Sequence, residues 1–190
     1  MSDAVTLSLT TPPEHALVAD CITADRLAAL GEKEIGELPV LHGGRAARVG
    51  DFFRVTGGRS SAVRLEGDLS RAEGIGARMR RGLIVVTGDG GQGTGKGMIA
   101  GTVVVFGKVG PGTGRFLKRG SIVALGEVER PATFRYACTY RPPHVALLLR
   151  YVGVRCRVAV TPAQVTGRYE RYSGDLAELG RGELLRWVGP

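Results

Sequence analysis

The central part of the chain is built on a repeat of 19 residues. Residues 80–88, 99–107 and 118–126 superpose on one another, each copy shifted by 19 positions. A fixed period near 20 is typical of stacked structural repeats, and glycine at the corners permits positive φ and close stacking. Four glycine columns align across the copies: Gly74/Gly93/Gly112, Gly76/Gly95/Gly114, Gly82/Gly101/Gly120 and Gly88/Gly107/Gly126. The pattern predicts a parallel β-solenoid from about Ala62 to Gly126.

Each repeat ends in a strand of about five residues rich in Val and Ile, and the alternation along it sorts side chains onto two faces. Two columns are expected to point into the coil: Val63/Ile84/Val103/Ile122 and Leu65/Val86/Val105/Ala124. The opposite face is polar at Arg64 and Glu66 and becomes apolar in the later repeats, at Val85, Val104, Val123, Phe106 and Leu125. A soluble protein rarely leaves such a surface exposed. We expect either a partner chain or the chain's own terminal segments to cover it.

The segments on either side of the repeats are expected to cap them, because an uncovered strand edge at the end of the repeats could pair with another chain. In the segment before the repeats, the sequence predicts strands at Thr6–Thr10 and Val49–Val55. It also predicts one helix that begins at Ala24, with Thr23 as its N-cap, and a second that begins at Glu32. In the segment after the repeats, the sequence predicts a helix over His144–Val152 and a strand at Arg157–Val160. We therefore predict a mainly β chain in three parts: an α+β lead-in and cap (1–56), solenoid repeats (57–130), and a C-terminal cap with one helix and a Tyr/Gly-containing tail (131–190).

Composition favours a soluble, cytoplasmic protein. The net charge of +8 indicates either an anionic partner or a solvated basic surface. The three cysteines, Cys21, Cys138 and Cys156, are widely spaced, which argues against a disulfide framework. No apolar run reaches the roughly 18 residues of a membrane span, and the N-terminus lacks a signal-peptide pattern. No cluster of basic and aromatic residues predicts nucleic-acid binding.

One motif imitates a phosphate-binding loop. Gly90–Lys96 fits G-x-x-x-x-G-K after a strand, but Gly97 replaces the required Ser or Thr, and another β repeat follows instead of a helix. The motif is therefore interpreted as a repeat corner. His15, His42 and His144 show no metal-ligand spacing, and no nucleophile motif is present. No catalytic, cofactor-binding or metal-binding residue is nominated.

Basic residues recur before and after the repeat strands. Stacking would bring them into a stripe along one side of the coil: Arg80, Arg81, Lys96, Arg115, Lys118 and Arg119. One interpretation is a solvated edge that prevents edge-to-edge pairing. The other is a docking strip for an acidic partner or a polyanionic cofactor tail.

Several stretches resemble a known family. Met79–Asp89 and Met98–Val105 are similar to the C subunit of formylmethanofuran dehydrogenase, and especially to its bacterial relative, the C subunit of the formyltransferase/hydrolase complex of methylotrophs. The repeats alone also resemble the C-terminal domain of glutamate synthase. The flanking segments strengthen the resemblance: Arg26–Leu30, Glu34–Ile35, Pro131–Phe134 and Tyr169–Glu183.

The resemblance implies a right-handed parallel β-helix and a non-catalytic subunit of one-carbon metabolism. Its partners would be hydrolase-like, dehydrogenase-like B and formyltransferase subunits. That complex passes a formyl group from formyl-tetrahydromethanopterin to a methanofuran-type carrier and releases formate, with both sites on the other subunits. The chain itself would bind no cofactor, nucleic acid or membrane. Relatives usually have more repeats than the roughly four seen here.

Two alternatives remain open at this point. The chain could be the C subunit of a molybdenum or tungsten formylmethanofuran dehydrogenase, which has the same fold. It could also be a free-standing module that binds anions through the basic stripe.

Overall fold

The computed structural model describes residues 4–190 and is mainly β, as predicted, with 35% of residues in strands and 17% in helices. The segment before the repeats contains β1 Val5–Leu9, β2 Leu17–Val18, α1 Ala24–Leu27, α2 Glu32–Gly36, β3 Pro39–His42, β4 Arg45–Arg48, α3 Val49–Phe52 and β5 Phe53–Thr56. The repeats contain β6 Ala62–Glu66, β7 Ala72–Glu73, β8 Leu83–Val86, β9 Thr102–Val105 and β10 Arg119–Ala124. After them come β11 Arg135–Tyr140, α4 Pro143–Arg155, α5 Pro162–Thr166, β12 Arg168–Gly174 and β13 Arg181–Gly189.

One nine-stranded sheet runs through the molecule in the order β11-β12-β13-β10-β9-β8-β6-β1-β5. Neighbours from β13 to β1 are parallel, and the pairs at both ends of the sheet are antiparallel. A second sheet of four strands has the order β4-β3-β2-β7. Strands from all three predicted segments join the large sheet, so the lead-in and the C-terminal segment extend the repeat strands directly.

The 19-residue period appears as parallel pairing in register. Ile84 lies beside Val103, and Val103 beside Ile122, so each residue pairs with its equivalent in the next repeat. β6 joins the same column through Val63 beside Ile84. A second line of isolated parallel bridges connects the same repeats away from these strands, through Leu69, Gly90, Val109 and Val128.

Two glycine columns show why the repeat requires this residue. Gly82, Gly101 and Gly120 all have φ of 98–99°, a region that favours glycine. At Gly88 a Cβ would lie 2.2 Å from the carbonyl oxygen of Gly67, and at Gly126 it would lie 2.3 Å from that of Gly107. Glycine is therefore required in the first column by the backbone conformation, and in the second column by the close approach of consecutive repeats.

The core lies on the predicted inner face of the repeat strands. Both columns expected to point inward are buried, and they form one apolar cluster with Ile75, Met79, Met98 and Leu117 from the connecting loops. The same cluster reaches Leu7 of β1 and Leu184 of β13. The repeats and both flanking segments thus share one apolar core.

The flanking elements differ from the predictions in three places. Val49–Val55 is not one strand: α3 occupies its first half, where the Asp51 carboxylate accepts the N–H of Arg48 at 2.8 Å. Arg157–Val160 is not a strand, because Val158 and Val160 pack into an apolar cluster with α4 instead of pairing. Thr23 holds the N-cap position of α1 but makes no side-chain capping bond. Across residues 4–190, no helix is long and apolar enough to cross a membrane.

Candidate interaction surfaces

The apolar outward face of the repeat strands is covered by the chain's own helix α4. Val85, Val104 and Val123 lie side by side on β8, β9 and β10 and are fully buried. They form one cluster with the inward residues of α4, Val145, Leu149 and Val152, and with two other members of the predicted face, Leu125 and Phe106.

From the sequence, this candidate partner-packing face could be covered either by a partner chain or by a terminal segment. Of the two coverings expected from the sequence, the structure has the terminal segment, because β11 leads directly into a helix whose apolar side matches the valines. Leu125 is buried and Phe106 is half-buried in this arrangement. These residues do not form an open surface.

Polar contacts tie both ends of α4 to the sheet. Near its N-terminus, His144 Nε2 lies 3.6 Å from a carboxylate oxygen of Glu183 on β13. Ser121 Oγ and Arg171 Nε also donate to Glu183, at 2.7 and 2.8 Å. Beyond its C-terminus, the carbonyl of Cys156 accepts from Arg64 Nη1 of β6 at 3.0 Å. The helix is thereby fixed along the direction in which the strands are stacked.

The opposite side of α4 is apolar and exposed. Leu147, Tyr151 and Val154 follow one another at spacings of four and three residues, which places them on one helix face. Their exposed fractions are 65%, 52% and 83%. We call these three residues the α4 stripe. Sequence reasoning missed it, although apolar residues on two opposite sides of a helix are a signal that both sides find partners.

The segment that carries the α4 stripe has no carboxylate. Between Glu129 and Glu170 the chain contains no Asp or Glu. It contains seven arginines: Arg130, Arg135, Arg141, Arg150, Arg155, Arg157 and Arg168. The segment that contains the exposed stripe therefore carries much of the positive charge of the chain.

The residues of the predicted basic stripe line more than one groove. Arg80, Lys96 and Lys118 line one groove of about 630 Å³, into which Arg78 also faces. Three carboxylates line the same groove, those of Asp20, Glu73 and Glu178, so its charge is mixed.

The other basic residues lie outside that groove. Arg115 lines a neighbouring one, with its guanidinium carbon 4.8 Å from the centre of the Phe116 ring. Arg81 and Arg119 are exposed and line neither groove. The six residues are all exposed on the surface.

The backbone of the loop resembling a phosphate-binding loop is already engaged. The N–H groups of Gly93, Gly95 and Gly97 donate to the carbonyls of Pro111, Ile75 and Arg115 in neighbouring repeats, at 2.8–2.9 Å. A phosphate cradle needs such groups free to point at the ligand. The structure thus supports the interpretation as a repeat corner. Within residues 4–190, no three His, Cys, Asp or Glu residues are grouped as metal ligands would be.

Proteins of known name match the chain over part of its length. It is 41% identical over 80 residues to the C subunit of molybdenum-containing formylmethanofuran dehydrogenase 1 of Methanosarcina barkeri. It is 36% identical over 77 residues to the corresponding protein of Methanothermobacter marburgensis. Each match covers 40% of this chain, and 27% and 19% of the relatives. Over this stretch the chain is similar to the formylmethanofuran dehydrogenase C subunits.

The predicted resemblance is therefore confirmed, although the matched stretch spans less than a third of either relative. No family model matches the chain. A solved structure extends the likeness of fold. A chain of the formyltransferase/hydrolase complex FhcABCD from Methylorubrum extorquens, in complex with methylofuran, superposes with a TM-score of 0.53 at 24% identity. The superposition covers 96% of this chain and 99% of that one.

Proposed function

We propose that this chain is a non-catalytic scaffold subunit of a formyltransferase/hydrolase complex. Its partners would move a formyl group from formyl-tetrahydromethanopterin to methanofuran and hydrolyse the product to formate. The observation that carries the proposal is the superposition on a chain of FhcABCD over almost the full length of both chains. Because the superposition includes both flanking segments and not the repeats alone, it favours a similar position in a similar assembly over a repeat shared by unrelated proteins.

We also propose that residues 57–130 form a short right-handed parallel β-helix, capped by 1–56 and 131–190. Parallel pairing in register along β6, β8, β9 and β10 supports one wall of such a coil. The isolated parallel bridges through Gly90 and Val109 support a second wall formed by the same repeats.

The α4 stripe is proposed as the main partner-docking surface, in place of the buried valine face. An apolar centre with a polar rim is the usual anatomy of a protein interface. Here the surrounding arginines have no nearby carboxylates in sequence, so the matching partner surface would be apolar with acidic residues at its edge.

The experiment is co-purification with the proposed partners. A tagged chain would be expressed with the hydrolase-like, dehydrogenase-like B and formyltransferase subunits from the same genome. We expect a stable complex with the wild type and loss of it with Leu147→Glu or Val154→Glu. Leu41→Glu is the matched control, because Leu41 is 46% exposed but lies on β3 of the small sheet. A complex that survives both α4 variants contradicts the docking surface; a wild-type chain that binds none of these subunits contradicts the scaffold role.

A molybdenum or tungsten formylmethanofuran dehydrogenase is the second candidate, favoured by the names of the relatives that match in sequence. The same chain would then serve as its C subunit. Co-purification discriminates the two: a redox complex brings down metal-containing subunits, and a formyltransferase/hydrolase complex does not depend on them. Molybdenum and tungsten content of the purified assembly is the readout.

The basic stripe is kept as a proposed contact for an acidic partner, with the groove at Lys96 and Lys118 as its centre. If the chain were instead a free-standing anion-binding module, reversing Arg115, Lys118 and Arg119 to Glu would abolish anion binding by the isolated chain. Unchanged binding would reject that alternative.

A further inference from the structure

Phe116 carries an aromatic side chain at a position where the backbone conformation favours glycine. Its φ is 63°, in the left-handed region that bulky residues rarely occupy. The equivalent residue one repeat earlier is Gly97, with φ of 64°, and two repeats earlier it is Arg78, with φ of 57°. Glycine adopts this conformation without the strain that a residue with a Cβ incurs. The aromatic residue is therefore retained here although glycine would fit the turn better.

The strained turn is fixed by hydrogen bonds to its backbone. The N–H of Phe116 donates to the carboxylate of Asp175, which is 1% exposed and also accepts the N–H of Ala177. The carbonyl of Arg115, the residue before it, accepts the N–H of Gly97 at 2.8 Å. Contacts from two sides thus hold a conformation that the residue itself disfavours.

The side chain of Phe116 remains accessible. The residue is 38% exposed and lines both the groove of about 630 Å³ and the neighbouring groove of about 530 Å³. Ile99, which is also 38% exposed, lines the larger groove with it. Strained residues cluster at sites that bind or react, and an exposed aromatic ring at such a position points to binding.

The larger groove is acidic at the end that lies farthest from Phe116. Asp20 and Glu73 line it there. Glu73 immediately precedes Gly74, and a Cβ on Gly74 would lie 3.2 Å from the Cβ of Asp20. Both carboxylates therefore lie beside the repeat of Gly74, which comes two repeats before that of Phe116.

The end that contains Phe116 is mainly basic. Lys96 and Lys118 line the larger groove, and Arg115 lines the neighbouring one. These three residues belong to the same two repeats as Gly97 and Phe116. Glu178 is the carboxylate that the C-terminal segment adds to the lining. An acidic segment is therefore attracted to the end where Phe116 lies and repelled from the other end.

We propose that Phe116 anchors an extended acidic segment of a partner protein, with an aromatic side chain of that segment packed against its ring. Aromatic pairs stabilise an interface beyond the area that they bury. Carboxylates on either side of the partner's aromatic residue would pair with Lys96, Lys118 and Arg115. The proposal rests on the contact proposed above between the basic stripe and an acidic partner, and it adds the apolar anchor of that contact and the chemistry of the segment.

The test is calorimetric titration of the full chain with a blocked synthetic peptide in which one tryptophan is flanked by two glutamates on each side. Ionic strength is held constant, because salt screens such contacts. We expect saturable binding, and at least tenfold weaker binding of the same peptide with alanine in place of tryptophan. Phe116→Ala and Phe116→Gly should each weaken binding of the tryptophan peptide at least tenfold. Arg59→Gly is the matched control, because Arg59 is exposed and has φ of 52° but lines neither groove.

The melting temperatures separate the backbone strain from the loss of the ring. Phe116→Gly should melt about 2–4 °C above Phe116→Ala, because both variants lack the ring and only glycine is free of strain at positive φ. A glycine variant that melts below the alanine variant would show that the position is not strained and would remove the basis of the proposal.

The binding outcomes distinguish the anchor from the basic contact. Binding of the tryptophan peptide by Phe116→Gly as tightly as by the wild type would overturn the proposal. Equal binding of the tryptophan and alanine peptides by the wild type would overturn the anchor and leave the basic contact standing. A wild-type chain that binds neither peptide saturably would contradict both.

Discussion

The carboxylate of Asp175 accepts the backbone N–H of Phe116, with Oδ2 at 2.7 Å from the nitrogen. In the two preceding repeats the equivalent N–H groups, those of Arg78 and Gly97, donate to the carbonyls of Lys96 and Arg115 one repeat further on, at 2.8 Å each. The repeat that contains Phe116 is the last of the 19-residue copies. A side chain from the C-terminal segment therefore supplies the acceptor that the next repeat would have supplied.

Removal of this acceptor should destabilise the end of the stack. Asp175 is 1% exposed and also accepts the N–H of Ala177 at 2.8 Å, so Asp175→Ala leaves two donors unpaired. We expect a loss of about 1–3 kcal/mol in the free energy of unfolding by urea, with a smaller loss for Asp175→Asn, which retains one acceptor oxygen. Hydrogen exchange at the Phe116 amide should accelerate in the Ala variant. Asp68→Ala, which removes one exposed bond to the Ser70 N–H, is the control, and an equal loss there would contradict the capping role.

The repeats could be predicted from the sequence because stacking in register imposes equal spacing. Each strand pairs with its equivalent 19 residues later, so apolar columns and glycine columns recur visibly. β13 could not be found in this way, although it pairs with β10 as a further parallel strand, with Gly182 beside Gly120. The separation of 62 positions hides the period. One sequence similarity could have indicated this strand: the order Gly182, Glu183, Leu184, Leu185 resembles the order Gly120, Ser121, Ile122, Val123 with which it pairs.

The surfaces were harder to predict than the strands. The sequence identified the apolar outward face correctly, but it left open whether a partner or a terminal segment covers it. α4 has apolar residues on two opposite sides, so periodicity alone could not decide which side faces the sheet. The hydrogen bond from Arg64 to the carbonyl of Cys156 joins residues that are 92 positions apart in the chain, and no local sequence pattern indicates such a contact.

The glycines of the closely approaching column should tolerate no side chain. Gly88→Ala would place Cβ 2.2 Å from the backbone oxygen of Gly67, and only a shift of one repeat against the next can relieve the clash. We expect destabilisation of about 1–3 kcal/mol or more, measured by urea unfolding. Gly36→Ala is the matched control, because its Cβ would meet no atom within 4 Å and α2 gains a better helix former. A Gly88→Ala protein as stable as Gly36→Ala would show that the repeats are not this tightly stacked.

The two sides of α4 should respond differently to truncation. Leu149 is fully buried against the sheet, and Leu147 on the same helix is 65% exposed. Leu149→Ala should cost about 2–5 kcal/mol of unfolding free energy, because it leaves a cavity under the helix. Leu147→Ala should change stability by less than about 0.5 kcal/mol. Thermal and urea unfolding of the isolated chain would measure both, and equal losses would contradict the orientation of α4.

Glu170 should contribute a pH-dependent part of the stability. Its carboxylate accepts from the hydroxyl of Tyr172 at 2.5 Å and from Nε of Arg186 at 2.9 Å. The hydrogen bond from Tyr172 is the largest cause of a lowered pKa of Glu170, and the bond and charge of Arg186 lower this pKa further. Since the folded-state pKa lies below the unfolded value of about 4.3, the stabilisation is fully present above that pH and is lost as the pH falls through the folded pKa.

The variants separate the two causes of this pH dependence. Tyr172→Phe and Arg186→Gln should each raise the pKa of Glu170 toward its ordinary value, as followed by NMR titration of the side-chain carboxyl carbon. Glu170→Gln should flatten the fall in urea midpoint between about pH 6 and about pH 3, because no proton is then taken up at this position on unfolding. Tyr172→Phe is the decisive variant, because the aromatic ring remains while the donor is lost. An unchanged pKa of Glu170 in that variant would show that the hydroxyl does not stabilise the carboxylate.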